Sequence, residues 1–270
     1  MIVENKSIFE GLYKPLNDVD SYLERIGYSG SSEPTEECLK TLVRCHLISV
    51  PFENLDIYYR RIIPSLETEK LFNKIVINKR GGYCFELNGL FMKLLEAIGF
   101  SGFGTIARIV TGCNFPMPYT HRVNFVDIGN DRYFCDVGYG GPGPKEPIKI
   151  VYDTLIKTED GAKFCFLKQG DETVLKAELN GKMSPIMIFS FNKCDLCDFV
   201  PLNTFCACSD YEPFIHKLIL WKMTESGKCT IDDNILRIKE NGILTEKELK
   251  TSEDVKEALK QWFAIDFKIM

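Results

Sequence analysis

The hydrophobic period of this chain changes near residue 100, and that change limits the folds open to it. Before Gly99 the apolar residues recur at helical spacing. Leu39, Leu42, Val43, Leu47 and Ile48 form one stripe, and Leu87, Leu90, Phe91, Leu94, Leu95 and Ile98 form another, each matching the 3.6-residue repeat of an amphipathic helix. After Gly99 the segments GTIARIVTG, THRVNFVDI, RYFCDVGYG, PIKIVYD, KFCFLK and TVLKAEL follow one another between Gly, Pro, Asn and Asp, which is how short strands joined by turns are written.

The end signals refine this outline. Asn17 or Asp18 is placed to cap a helix that stops at Gly27. Residues 32–37 open a second helix, with Pro34 early and Glu36 and Glu37 in its first turn, and Pro51 ends it. A third helix opens at or near Cys84, with Gly99 just past its end. Strands at the spacing seen over 101–198 predict a barrel or a strongly curved sheet. Beyond them, ILRIK and ILTEK flank Glu240-Asn241-Gly242 as a hairpin, and Thr251 with Asp254 opens a last helix. The expected fold class is α+β: a helical domain over 1–100, a β-barrel-like domain over 101–198 and an α/β domain over 199–270.

With 45% hydrophobic and 26% charged residues, a chain of 270 residues can bury the cores of such subdomains. Its net charge of −5 argues against a nucleic-acid surface. No apolar run approaches the roughly 18–20 residues that span a bilayer, and the opening stretch MIVENKSIFEGLYKPLNDVD lacks the apolar segment of a secretory leader. The expected location is the cytoplasm, where an odd count of eleven cysteines reads as reduced thiols.

One of those thiols has an unusual setting. In NKRGGYCFELNGLF, Gly81 and Gly82 let the backbone come close to another group, and the helical stripe begins directly after them. Cys84 therefore falls in the first turn of a helix, where unsatisfied N–H groups and the helix dipole favour an anion. A thiolate is such an anion, and a nearby imidazolium is the other usual means of stabilising it. On the local sequence alone, an inert core thiol is the commoner outcome.

The chain has three histidines. His46 and His216 have no acid at a suitable spacing, and both read as structural or surface residues. His121 opens THRVNFVDI, and the following strand carries Asp136. If Gly129-Asn130 is a two-residue turn, Ile128 faces Asp131 and His121 faces Gly138, so Asp136 shares a face with His121 as its diagonal neighbour. A register one residue off would put them on opposite faces. Cys84, His121 and Asp136 then make a nucleophile, its proton partner and an orienting acid, a cysteine-protease-like core.

These residues carry a resemblance. YLERIGYSG (22–30), VPFENLDI (50–57), RGGYCFELNGLF (80–91) and the pair THRVNFVDI and DVGYGG (120–128 and 136–141) are similar to motifs of bacterial arylamine N-acetyltransferases. DFVPLNTFCACSDYEPF (198–214) is a weaker fifth match. The family implies a helical, a barrel and an α/β lid domain, with the triad Cys84, His121 and Asp136. It implies a structural ion pair between Glu53 and Arg80, and acceptor-pocket contacts at Phe52, Thr120 and Phe214. Phe205 and Tyr211 match positions near coenzyme A. GYGGPGP (138–144) either brings backbone N–H groups of Gly140 and Gly141 to a pyrophosphate or is a plain turn. The segment CNFPMPYT (113–120) departs from the family's small-residue pattern.

The implied reaction is ping-pong acetyl transfer from acetyl-CoA to aromatic amines, hydrazines or hydroxylamines, a xenobiotic-metabolising chemistry with no metal, nucleic acid or membrane. The oligomeric state is open. A thiol hydrolase or transamidase with the same triad is an alternative, as is a non-catalytic thiol-rich binding protein. Cys194, Cys197, Cys206 and Cys208 form a candidate zinc set, though 206 and 208 are too close in sequence for a usual chelating pair.

Overall fold

The computed structural model describes residues 8–269. Residues 1–7, where the stretch weighed against a secretory leader begins, and residue 270 lie outside it. Among the described residues no helix is long and apolar enough to cross a membrane.

The helical part follows its end signals. Asp18 caps the helix Val19–Ile26 by accepting a hydrogen bond from the Ser21 N–H at 3.0 Å, and Gly27 closes it at φ +70°. The next helix, Glu36–Ser49, begins later than the sequence predicts: Thr35 is its cap, and Pro34 lies outside rather than in the first turn. The Thr35 side chain accepts from the Cys38 N–H, so the capping hydroxyl sets the start. The helix Cys84–Ile98 begins and ends as predicted, with Gly99 at φ +109°. It is the central element of the first core. Phe85, Leu87, Leu90, Phe91, Leu94 and Leu95 are all fully buried, because it packs against Val19–Ile26 on one side and the strands Ser101–Ile109 and His121–Ile128 on the other.

The second block is one antiparallel sheet of eight strands. Its spatial order is Ile148–Lys149, Asp131–Cys135, His121–Ile128, Ser101–Ile109, Lys182–Phe189, Glu172–Leu179, Lys163–Gln169 and Ile156–Lys157. The sheet curls until it nearly closes. The connection between its two edge strands bridges the gap: Ile150 donates to the Arg132 carbonyl at 2.8 Å and Asp153 to the Phe166 carbonyl at 2.9 Å, which satisfies backbone groups an open edge would leave bare. The interior is aromatic, with Phe125, Phe134, Phe164, Phe166 and Phe189 buried together. The strand Lys182–Phe189 has no counterpart among the expected ones. Pro185 interrupts its pattern, and the ladder shifts register there, between Leu175 and Lys176 of its neighbour.

The third block is a five-stranded antiparallel sheet in the order Phe52–Glu53, Ile219–Thr224, Gly227–Asp232, Ile235–Glu240, Ile243–Glu248. Its last hairpin turns at Asn241 (φ 50°) and Gly242 (φ 80°), as the sequence predicts. Thr251 and Asp254 cap the closing helix Ser252–Phe263, which buries Val255, Ala258, Leu259 and Phe263 against the sheet. The sheet's first strand, Phe52–Glu53, comes from the PFEN segment of the helical part: Phe52 pairs with Trp221 and Glu53 with Leu220. The remote end of the chain is thereby joined to the loop that precedes Cys84.

Candidate active site

The backbone around Cys84 is fixed by close approach. A Cβ on Gly81 would sit 1.9 Å from the Pro51 carbonyl oxygen, so only glycine lets this loop lie against the PFEN segment. Glu53 N–H donates to the Gly82 carbonyl at 2.8 Å. On the other side, a Cβ on Gly138 would lie 2.8 Å from the Cys84 Cα, so the strand that delivers Asp136 runs directly over the start of the helix.

Under this loop lies a buried charge cluster larger than the predicted pair. Arg80 Nη2 meets Glu53 Oε1 at 2.7 Å and Asp56 Oδ2 at 3.2 Å, while Lys74 Nζ lies 2.9 Å from Asp56 and 2.8 Å from Glu86. Glu53 is wholly buried and Glu86 is 1% exposed. Glu86 Oε2 also accepts from the Tyr83 N–H at 3.1 Å, which ties the cluster to the first turn of the cysteine helix. Arg60 Nη1 adds a third cation, 3.2 Å from Asp56 Oδ1. Burial, and secondarily Glu53, raise the Glu86 carboxyl to about 7 against the opposing pull of Lys74. Burial lowers Lys74, but Glu86, Glu53 and Asp56 outweigh it and hold the amine charged.

His121 is the first residue of its strand, opposite Ala107. The two-residue turn at Gly129-Asn130 forms with Gly129 at φ +60°, placing Ile128 opposite Asp131 and Asn124 opposite Cys135. The register brings His121 Nε2 within 2.6 Å of Asp136 Oδ2, with both side chains almost fully buried. Burial lowers the imidazole, yet the charge and hydrogen bond of Asp136, followed by the hydrogen bond to the Cys84 sulfur, raise it to about 10. Burial likewise raises the Asp136 carboxyl, and His121, Asn88 and the Gly138 N–H together bring it below its usual range. With Nε2 engaged by aspartate, Nδ1 is the ring nitrogen left for sulfur. The Cys84 thiol also rests 3.8 Å from the Thr120 carbonyl oxygen.

The sequence reading gave no role to Asn88, which stands one helical turn beyond Cys84 and is fully buried. Its Nδ2 donates to Asp136 Oδ1 at 2.8 Å and to the Arg122 carbonyl at 2.6 Å, and its Oδ1 accepts from the Val137 N–H at 2.9 Å. One side chain thus fixes the carboxylate and both strands beside it. The signal was present: an amide among the apolar residues of FELNGLFMKLL must find partners inside the core.

Cys84 and His121 open onto a cavity of about 560 Å³. Phe52, Thr120, Phe214, Tyr211, Gly140 and Gly141 all line it, as do Met117 and Cys113 of the atypical 113–120 segment. Phe52 and Phe214 lie with ring centroids 6.2 Å apart, forming an aromatic wall. Tyr211 is 92% exposed, at the rim. Phe205 does not line the cavity: it is 38% exposed on the helix Phe199–Cys208, whose turn points it away while Cys206 and Ala207 are buried. Glu212 also lines the cavity and was not foreseen. Among the described residues no group of three or more His, Cys, Asp or Glu is arranged to hold a metal ion, and every cysteine, including the four weighed as zinc ligands, is a free thiol.

Comparison with known proteins adds four findings. A family model described as N-acetyltransferase matches residues 35–270. The arylamine N-acetyltransferase of Escherichia coli K12 is 32% identical over 232 residues, covering 85% of this chain and 82% of that protein. Among solved structures, the arylamine N-acetyltransferase of Salmonella typhimurium superposes with a TM-score of 0.88 at 26% identity, covering 94% of this chain and 93% of the other. That of Mycobacterium marinum in complex with CoA gives 0.85 at 27% identity, covering 92% and 93%.

Proposed function

This chain belongs to the arylamine N-acetyltransferase family, and on that premise we propose that it moves acetyl groups from acetyl-CoA to aromatic amines, hydrazines or hydroxylamines through an acetyl-Cys84 intermediate. The observation that carries this is that Cys84 and His121 line one aromatic-walled cavity while Asp136 holds His121 from behind.

In the first half-reaction the Cys84 sulfur, as the anion paired with the His121 imidazolium, attacks the thioester carbonyl. The charge on the carbonyl oxygen is met by backbone N–H groups of the helix's first turn, which have no partner within the helix. The C–S bond to coenzyme A breaks, its sulfur takes the His121 proton, and CoA departs as the thiol. One thioester has replaced another, so the step is nearly balanced. In the second half-reaction the amine nitrogen attacks acetyl-Cys84. His121, now neutral, accepts the proton that nitrogen loses, the C–S bond breaks, and the sulfur–imidazolium pair is restored. The amide formed is more stable than the thioester consumed, which drives the cycle forward. Asp136 holds the ring tautomer and stabilises the imidazolium, and Asn88 fixes Asp136. Phe52 and Phe214 favour flat acceptors, and an arylamine stays neutral near pH 7 with its lone pair free. The odd count of eleven cysteines fits reduced thiols, and on that reading the chain works in a reducing compartment such as the cytoplasm.

Intact-mass measurement after exposure to acetyl-CoA alone tests the proposal. Wild type is expected to gain one acetyl group and Cys84→Ser none. Acetylation that persists in Cys84→Ser, or CoA release that continues without any amine, would overturn it, the latter in favour of a hydrolase.

A further inference from the structure

A second cavity, of about 510 Å³, lies beside the cleft, and Trp221 lines both. The wall between them is thin. Lys145 lines the second cavity and donates through Nζ to the carbonyl of Gly141, a residue of the cleft wall, at 3.1 Å. The same Nζ lies 4.2 Å from the centre of the Trp221 ring. The Trp221 indole N–H is buried and has no hydrogen-bond partner.

The charges in this second cavity are incompletely matched. Its carboxylates are engaged: Glu159 by Lys40 at 2.6 Å, Glu225 by Arg44, Asp160 by the Thr158 hydroxyl at 2.6 Å, and Glu146 by the Glu159 N–H at 3.1 Å. Lys145, Lys228 and Lys239 line the same space, and none has a carboxylate within salt-bridge distance among the described residues. Lys228 and Lys239 stand directly opposite each other across neighbouring antiparallel strands, an arrangement that destabilises a sheet. Burial, then the charge of Lys228, lowers the Lys145 amine to about 8. Five basic side chains line this cavity against four carboxylates, and Lys145, Lys228 and Lys239 are the ones left, among the described residues, without a salt bridge, which leaves room for an anion from outside.

We propose that this lysine-lined cavity binds phosphate, and that the phosphates it takes are those of the acyl donor whose thioester reaches Cys84 on the other side of Trp221. The chemistry fits on both sides of the wall. Coenzyme A carries its phosphates far from its sulfur, and clustered lysines are point-charge partners for phosphate oxygens. The assignment rests on the acetyl-CoA reading above and adds to it the place where the anionic end of the donor is held. It uses side chains on the strands Gly227–Asp232 and Ile235–Glu240, not the glycine run near residue 140.

The test is the double variant Lys228→Gln/Lys239→Gln, at two exposed strand positions where glutamine keeps the length and removes the charge. Cys84 acetylation is measured with acetyl-CoA and with S-acetyl-N-acetylcysteamine, a thioester without phosphate. The ratio of kcat/KM for the two donors is expected to fall about tenfold or more in the variant, the loss of at least one charge-assisted contact. An unchanged ratio overturns the proposal. Calorimetric titration with CoA gives a second readout, with affinity expected to fall by a similar factor and equal affinity overturning it. Inorganic pyrophosphate is expected to compete with CoA on wild type. If pyrophosphate binds there without displacing CoA, the cavity serves free phosphate and the assignment to the donor is wrong. Should wild type accept acetyl from neither thioester, the acetyltransferase reading fails, while the CoA titration still decides whether the cavity binds phosphate.

Discussion

Two charged regions flank the start of the cysteine helix, and they are built in opposite ways. Beneath it, Glu53 and Glu86 are buried, Asp56, Lys74 and Arg80 are mostly so, and all five are mutually bonded. Across Trp221, Lys145, Lys228 and Lys239 share a cavity and, among the described residues, make no salt bridge. The first cluster is satisfied by folding alone, and it serves to hold the loop 80–83 in place. The second is left short of negative charge by folding, which is the condition expected of a site completed by a ligand. Charge in a protein therefore has to be judged by what remains unpaired after folding, and not by how many charged residues are present.

That contrast gives substitutions of opposite sign. The largest effect is expected at Arg80→Met, which strands Glu53 as a buried charge and should cost about 3–5 kcal/mol of stability. Urea unfolding measures it, and a loss below about 1 kcal/mol would mean that Lys74, with Arg60 on Asp56, balances the cluster. Asn88→Ala comes next. It leaves two backbone groups and Asp136 Oδ1 short of a partner, each such loss being worth about 1–3 kcal/mol before relaxation. Acetyl transfer should fall with a split in which kcat drops more than KM rises, because Asn88 touches Asp136 and not the donor.

Asp136→Asn is expected to keep the fold and lower kcat by several orders of magnitude, as loss of the orienting acid does in related triads, about 10⁴-fold. Its stability effect should depend on pH. His121 is raised from 6.5 to about 10, so the stabilisation it brings is complete below about pH 6.5 and fades as pH climbs through 10. The stability gap between wild type and Asp136→Asn should accordingly narrow over that window. A gap that stays constant from pH 6 to 10 would show that the imidazole is not held charged by Asp136. The smallest effect carries the opposite sign: Lys228→Gln should raise stability by about 0.2–1 kcal/mol through relief of the facing like charges. Pyrophosphate should stabilise wild type more than this variant. If Lys228→Gln is destabilising instead, the two charged regions do not differ in the way described.

Much of the site was legible because it rests on short-range rules. The helix start at Cys84 follows from the glycines and the stripe after them, and the facing of His121 and Asp136 follows from counting outwards from Gly129-Asn130. Other features were hidden for equally physical reasons. Pro34 is compatible with a first helical turn, but the Thr35 hydroxyl one residue later holds the cap. Lys182–Phe189 carries a proline and two methionines, which blur strand alternation, and it is a strand because two neighbours supply its hydrogen bonds. Phe205 and Phe214 are both phenylalanines in one motif, and only packing decides that the second faces the cavity and the first faces solvent.

By itself the sequence determined where several of the helices and strands begin, which cysteine stands at a helix N-terminus, and which histidine shares a face with an acid. These depend on period, caps and turn geometry, which act over a few residues. The tertiary structure alone decided which of the chain's 33 basic residues are neutralised. Arg80 finds Glu53 and Asp56 across more than twenty residues, whereas Lys145 lies near Lys228 and, among the described residues, makes no salt bridge. Pairing of this kind is set by which distant segments are packed together, because at contact distance inside a protein the electrostatic energy depends on neighbours in space, and the local sequence does not name them.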